Sequence, residues 1–520
     1  LSGAVMAKEK TKADHWAFTL PQRHEAPAVR DTQWSSRPHD AFILKKIEKA
    51  GLAPNPPADP RNLLRRLSFD LNGLPPTPEE VTAFKKAFRE NPDTSLKELT
   101  DGLLASPQFG ARWARIWLDL ARYAEDQAHI AGDNSKLFYP NASLYRDWVI
   151  DAFNRDLPYD QFVKLQLAAD LLEDNHDEDL VALGFIGLGP KYYRRNDPLV
   201  MADEWEDRVD TVSRGLLGLT VGCARCHDHK FDPISTEDYY GLAGVFASIE
   251  MFNRPLDGEN AKKPADAMHI VRDRPKPTNL KVHLRGDPKD LGPEVPRRFL
   301  TILSKNENPP SFQKGSGRLE LAEAIASPGN ALTARVFVNR IWGELFGTPL
   351  VTTTSNFGTL GTPPSHPELL DDLAVRFMES GWSVKWLMRE LVLSSTYRQS
   401  SDFSGTKLEQ DPDNLLFSRA NRRRLDVEMW RDAIYSASGT LDLKVGGPSF
   451  NASDPNANRR AVYARISRLK LNPMLALFDF PDPNLHSPRP STTTTPLHIP
   501  FPVNNPPILQ PPQKLPYTPH

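Results

Sequence analysis

Asp203–Ser235 reads DEWEDRVDTVSRGLLGLTVGCARCHDHKFDPIS. Its first half spaces apolar residues at helical intervals, with acids and arginines sharing one face, and predicts a helix over Asp203–Leu219. The helix runs into a loop, closed by the turn DPIS, that holds the only two cysteines of the 520-residue chain. Cys223 and Cys226 are three apart and His227 follows directly, so the Cys-x-x-Cys-His motif lies in a loop at a helix end.

Outward from that stretch the pattern stays helical. Asp40–Glu48 and Asn62–Leu71 carry apolar residues at helical spacing between proline-rich turns. Thr77-Pro78-Glu79-Glu80 is a helix start, with a hydroxyl cap, a proline and then acids on the positive end of the dipole. Ser106-Pro107 and Pro158-Tyr159 open further helices, and Phe109–Tyr123 is a Trp- and Arg-rich helix. Later helices are expected at Leu319–Ala326, Ala331–Phe346, Pro367–Ser380, Val384–Ser394 and Leu425–Ser438. Between the two sets, PKPTNLKVHLRGD alternates like a short strand. The expectation is mainly α with minor β: two helical domains joined by a loop-rich segment with short strands. The divisions fall at 1–36 (N-terminal extension), 37–252 (the domain with the motif), 253–314 (linking segment), 315–480 (second helical domain) and 481–520, a tail with thirteen prolines.

Composition excludes some functions. Lys plus Arg is 64 and Asp plus Glu is 66, a net charge of −2. That balance argues against nucleic-acid binding, which needs a basic stripe. No apolar run of membrane-spanning length exists. Two cysteines cannot build a disulfide framework. The start at Leu1 reads as cut from something longer, so a missing leader says nothing about export.

Cys-x-x-Cys-His is the attachment pattern of covalent haem c. Two thiols a turn apart reach the two vinyl groups of one porphyrin edge, and the next histidine supplies an axial nitrogen to the iron. Cys223 and Cys226 are therefore the candidate attachment points and His227 the candidate axial ligand. Three other readings stay open: zinc held by Cys223, Cys226 and His229, a dithiol that cycles with a disulfide, and two cysteines that are merely buried, which their shared spacing with an attached histidine argues against. The zinc reading lacks a second cysteine pair, and the dithiol reading lacks a βαβ setting.

Candidates for a second axial ligand are Met201, Met251, His15, His24, His129 and His269. Asp228, His229, Lys230 and Asp232 are expected to close the turn by hydrogen bonding. Glu204, Asp207, Arg208 and Asp210 are expected on a solvated helix face, with Arg208 or Arg214 as minor candidates for a propionate contact. Glu125, Asp126 and Asp133, with His129, form a cluster that could bind a cation or serve as acid and base, with no carboxyl separation to define a hydrolytic geometry. Trp113, Trp117, Trp342, Trp382 and Trp386 sit at core positions.

Several long stretches carry a resemblance. GLTVGCARCHDHKFDPISTEDYYGLAGVFAS, YRDWVIDAFNRDLPYDQFVKLQLAADLL, LTARVFVNRIWGELFG, TSNFGTLGTPPSHPELLDDLA and NRRRLDVEMWRDAIYSASGTLD resemble the planctomycete cytochrome-c-type proteins with paired domains of unknown function. The resemblance spans roughly His15 to Asn484. It implies an exported, periplasmic or otherwise extracytoplasmic protein with haem-based electron transfer. It also implies an unknown redox partner, for which a cytochrome c domain N-terminal to His15–Phe18 is one candidate. The ending HIPFPVNNPPILQPPQKLPYTPH departs from the helical segment usual there. The family's genomic company implies a rival function, a polysaccharide-associated enzyme or binding module in which the loop is structural or binds a metal.

Overall fold

Proline sets where many of the helices begin, because its missing N–H falls where a helix has no carbonyl to offer. α1 (Pro38–Lys49), α2 (Pro60–Asn72), α3 (Pro78–Glu90) and α4 (Pro92–Ala105) all start this way. At α3 the Thr77 hydroxyl accepts from the Glu80 N–H while the Glu80 carboxylate accepts from the Thr77 N–H. That reciprocal pair satisfies two backbone donors the helix cannot. α5 (Gln108–Leu120), α6 (Ser143–Asn154), α7 (Tyr159–Ala168), a single-turn α8 (Gly184–Gly187), α9 (Pro198–Val212) and α10 (Thr236–Ala247) complete the first set. The computed structural model describes residues 15–127, 138–174, 176–191, 197–256, 266–306, 308–403 and 405–487.

Two antiparallel hairpins follow. β1 (Ile249–Pro255) pairs with β2 (Ala267–Asp273), and β3 (Leu280–His283) pairs with β4 (Leu291–Val295). β3 lies in the alternating PKPTNLKVHLRGD stretch; the other three strands show no comparable alternation. Helices then resume as α11 (Arg318–Ala326), α12 (Thr333–Phe346), α13 (Pro367–Glu379), α14 (Val384–Val392) and α15 (Ser395–Arg398). α16 (Gly405–Gln410), α17 (Val427–Ala437) and α18 (Pro473–Leu477) close the order. The fold is mainly α with minor β.

One contiguous apolar cluster runs through both helical sets, from Phe18 through Trp117 and Leu216 to Trp342 and Leu475. The tryptophans are core residues: Trp113, Trp117, Trp342 and Trp382 are buried, and Trp386 is partly buried against the cluster. Polar clamps join the sets. The buried Asp40 carboxylate on α1 accepts from the Thr396 N–H at 2.9 Å and its hydroxyl at 2.7 Å, capping α15 from the other half of the chain. Asp126 accepts from the Arg468 N–H at 2.8 Å, and the Glu125 N–H donates to the Ile466 carbonyl at 2.9 Å. Both ends of the described chain are tied down. Phe18 is buried, and His486 sits between the Ser355 hydroxyl and the Leu120 carbonyl.

Candidate functional site

α9 does not stop cleanly. It widens into a π turn, Ser213–Leu217, and ends on Gly218 at φ 62°, a left-handed conformation that glycine adopts without strain. A side chain there would meet Phe357 and Val336 at 3.0 Å, so the turn needs glycine for space as well. The chain then enters a 3₁₀ turn, Val221–Arg225, with Cys226 immediately after it. Three residues per turn place positions i and i+3 on one face. Cys223 and Cys226 are therefore presented together, and both are free, exposed thiols.

His227 is exposed too, and its Nδ1 lies 2.7 Å from the Asp228 carbonyl oxygen. A carbonyl only accepts, so Nδ1 carries the proton and Nε2 keeps its lone pair. That tautomer presents Nε2 as a metal-ligating nitrogen. The hairpin β3–β4 closes against the second thiol: a Cβ at Gly286 would stand 2.4 Å from Cys226 Sγ. The same hairpin carries two exposed leucines, Leu284 and Leu291.

Beneath the exposed groups the loop is fixed by buried polar contacts. His229 Nδ1 accepts from the Asp232 N–H at 2.8 Å and the Phe231 N–H at 3.2 Å, so its Nε2–H donates to the Thr220 hydroxyl at 3.0 Å. The Asp228 carboxylate accepts from the Thr236 N–H and hydroxyl at 2.8 and 3.0 Å. Asp232 accepts from the Thr359 N–H at 2.6 Å. The Gly218 carbonyl accepts from the Phe357 N–H at 2.7 Å. The polar patch thus closes the turn, as its short side chains predict. The Lys230 ammonium lies over the Phe231 ring, 5.3 Å from its centroid.

Residues 38–251 match a family described as Protein of unknown function (DUF1549), and residues 317–516 match Protein of unknown function (DUF1553). The chain pairs these two domains of unknown function. The pair is typical of planctomycete-type proteins. No curated protein and no solved structure matches. The motif lies in the DUF1549 domain, and the loop that clamps it, Asn356–Thr359, comes from the DUF1553 domain. The DUF1553 match also covers most of the proline-rich 481–520 stretch.

Other predicted residues land elsewhere. His229 faces inward with both ring nitrogens occupied, so it is not brought to the thiols as a zinc ligand. Among the described residues no cluster of three or more His, Cys, Asp or Glu could hold a metal ion. His269 has Asn253 on Nδ1 at 2.6 Å and Lys191 on Nε2 at 2.9 Å, and it stacks on Tyr139. Met251 sulfur accepts from Arg208 at 3.1 Å, and His15 Nε2 bonds the Phe357 carbonyl. Met201 and His24 are half-buried. His129 and Asp133 lie outside the described residues.

The α9 charges correct an expectation. Glu204 and Arg208 are buried rather than solvated, and Asp207 takes a two-pronged bond from the buried Arg122 at 2.8 and 2.7 Å. Burial lowers the Arg208 pKa against the pull of Glu204. Arg208 is therefore turned into the interior, and Arg214 is paired with Asp210 at 2.6 Å. Glu125 and Asp126 bind the segment after α17, with burial raising the Glu125 pKa.

Residues the sequence did not single out complete the loop's surroundings. The Tyr240 hydroxyl donates to the Arg225 carbonyl at 3.1 Å, and its ring lies 5.2 Å from that of the buried His283 on β3. Burial, then the charge of Arg225, lowers the His283 pKa. The signal for His283 was its place in the alternating KVH stretch; nothing local tied it to residues so far upstream.

Proposed function

We propose that the protein carries a covalently attached haem c and moves electrons outside the cytoplasm. One observation supports this above the others. Two reduced, exposed thiols stand one 3₁₀ turn apart, and the imidazole that follows has its Nδ1 already committed to a carbonyl. Cys223 and Cys226 would hold the macrocycle through thioether bonds, and His227 would supply the axial nitrogen. When bound, haem supplies an iron that cycles between ferric and ferrous states.

The chain's own residues do the positioning. The His227–Asp228 contact holds the imidazole tautomer, while His229, Asp228 and Asp232 keep the turn in one conformation. Gly286 lets the β3–β4 hairpin approach Cys226, and Leu284 and Leu291 offer exposed apolar surface on the same hairpin. An extracytoplasmic location follows from the chemistry, because haem c is attached outside the cytoplasm. No helix among the described residues is long and apolar enough to cross a membrane. The redox partner would act at this exposed face, and a cytochrome c domain preceding His15 is one candidate.

The test is covalent retention. Chain matured in a host that attaches haem c should keep haem-dependent peroxidase staining on a denaturing gel, and the double variant Cys223→Ala/Cys226→Ala should lose it. An unstained wild-type band from that host would end the proposal.

A further inference from the structure

A cavity of about 690 Å³, apart from the cysteine loop, opens between α2, α5, α12 and the approach to α17. Its size is that of a small-molecule site. Among the described residues, nine arginines and six carboxylates line it. Four arginines take up all six carboxylates. Arg112 faces Asp426 at 2.7 Å and Glu344 at 3.8 Å. Arg115 faces Asp119, and also Glu428 at 2.9 Å. Arg423 faces Asp70 at 2.5 Å and Arg424 faces Asp479 at 2.8 Å.

Five guanidinium groups are left with no carboxylate among the described residues: Arg65, Arg66, Arg340, Arg419 and Arg422. Two of these are buried. Arg419 is 5 % exposed; its Nη2 donates to the Asp411 and Pro412 carbonyls, and its Nη1 has no partner among the described residues. Arg340 is 7 % exposed; among the described residues it reaches only carbonyls and a hydroxyl, and its Nε has no partner. A buried charge without a counter-ion costs several kcal/mol. Here the cost falls on groups bordering an open cavity, where an incoming anion would relieve it. Aromatic faces are at hand as well: Arg65 lies over Phe69, Arg66 over Tyr397 and Arg115 over Phe480.

We infer that this cavity is a binding site for a small molecule bearing two or more oxyanion groups, with Arg340 and Arg419 at its buried end and Arg65 and Arg422 at its exposed edge. Guanidinium recognises carboxylate, sulfate and phosphate alike through paired N–H donors, so oxyanion chemistry is the shared feature. The site is independent of haem attachment and should bind equally in the Cys223→Ala/Cys226→Ala protein.

The experiment is isothermal titration of the full chain with citrate, inositol hexasulfate and inositol hexakisphosphate, which separate the three oxyanion classes. At least one should bind saturably, one per chain, and more weakly as salt is raised. Arg65→Ala/Arg422→Ala, at exposed positions, should weaken that binding roughly tenfold or more with an unchanged melting temperature. Arg419→Gln gives a sharper distinction: a purely structural arginine lowers the melting temperature on replacement. An arginine held without a counter-ion for a ligand leaves it unchanged or raises it while binding weakens. Absence of saturable binding for all three probes, or binding unaltered in both variants, would overturn the inference.

Discussion

In the turn at 221–235 the reactive groups face outward, and the polar groups that face inward are matched. His229 satisfies three partners, Asp228 closes onto Thr236, and Asp232 reaches across to Thr359. In the arginine cavity the reverse holds. Charged groups are drawn into the protein and, among the described residues, six carboxylates crowd onto four arginines while two buried guanidiniums are left without a counter-ion. The first region spends its hydrogen bonds on rigidity, which suits a group to be fixed covalently. The second keeps unmatched charge, which suits a ligand that comes and goes. Both depend on chain segments far apart in sequence, but only in the first are the reactive residues contiguous.

The largest effect is expected at the base of the loop. Arg122→Ala would leave the largely enclosed Asp207 carboxylate on α9 without its buried two-pronged partner. It should cost about 3–5 kcal/mol in chemical denaturation; a loss under about 1 kcal/mol would mean that the α9 charges do not anchor the loop. His229→Ala comes next. It strands two backbone N–H groups and a hydroxyl, and should cost about 2–3 kcal/mol. Faster thiol labelling of Cys223 and Cys226 should accompany that loss.

On the cavity side, burial first and the neighbouring Asp426 second push the Glu428 carboxyl up to about 7 from an ordinary 4.5. Its folded-state pKa is above its unfolded one, so the folded protein binds the proton more tightly. The associated stability is present below pH 4.5 and is lost as pH rises through 7. Against Glu428→Gln, wild-type stability should therefore fall by about 1–3 kcal/mol between those limits. Parallel pH profiles for the two proteins would contradict the assignment. The smallest effect belongs to the exposed thiols. Cys223→Ala should change the stability of the haem-free chain by about 0.5 kcal/mol at most.

Much of the fold is readable from local signals. Asp40–Glu48, Asn62–Leu71 and Pro367–Ser380 anticipate α1, α2 and α13 to within two residues, because proline starts and apolar spacing are local. The expected helix over Asp203–Leu219 was displaced because the chain starts α9 at Pro198 and leaves α-geometry at Ser213 for a π turn. The buried charge on α9 was not legible. An acid and an arginine four apart look the same on a solvated face as beneath a neighbouring helix, and only Arg122, some eighty positions upstream, decides between them. The motif was legible for the opposite reason, since five adjacent residues carry it. The cavity left one local trace, the run Asn421–Glu428 with three successive arginines. Its meaning depends on α2, α5 and α12 arriving beside it.

The most direct measurement is a pyridine haemochrome spectrum, with haem counted per chain, on protein matured in a host able to attach haem c. The expected result is the c-type spectrum at one haem per chain, lost when both cysteines are replaced. A chain that emerges correctly folded from that host without haem, or with haem that solvent extraction removes, would contradict it.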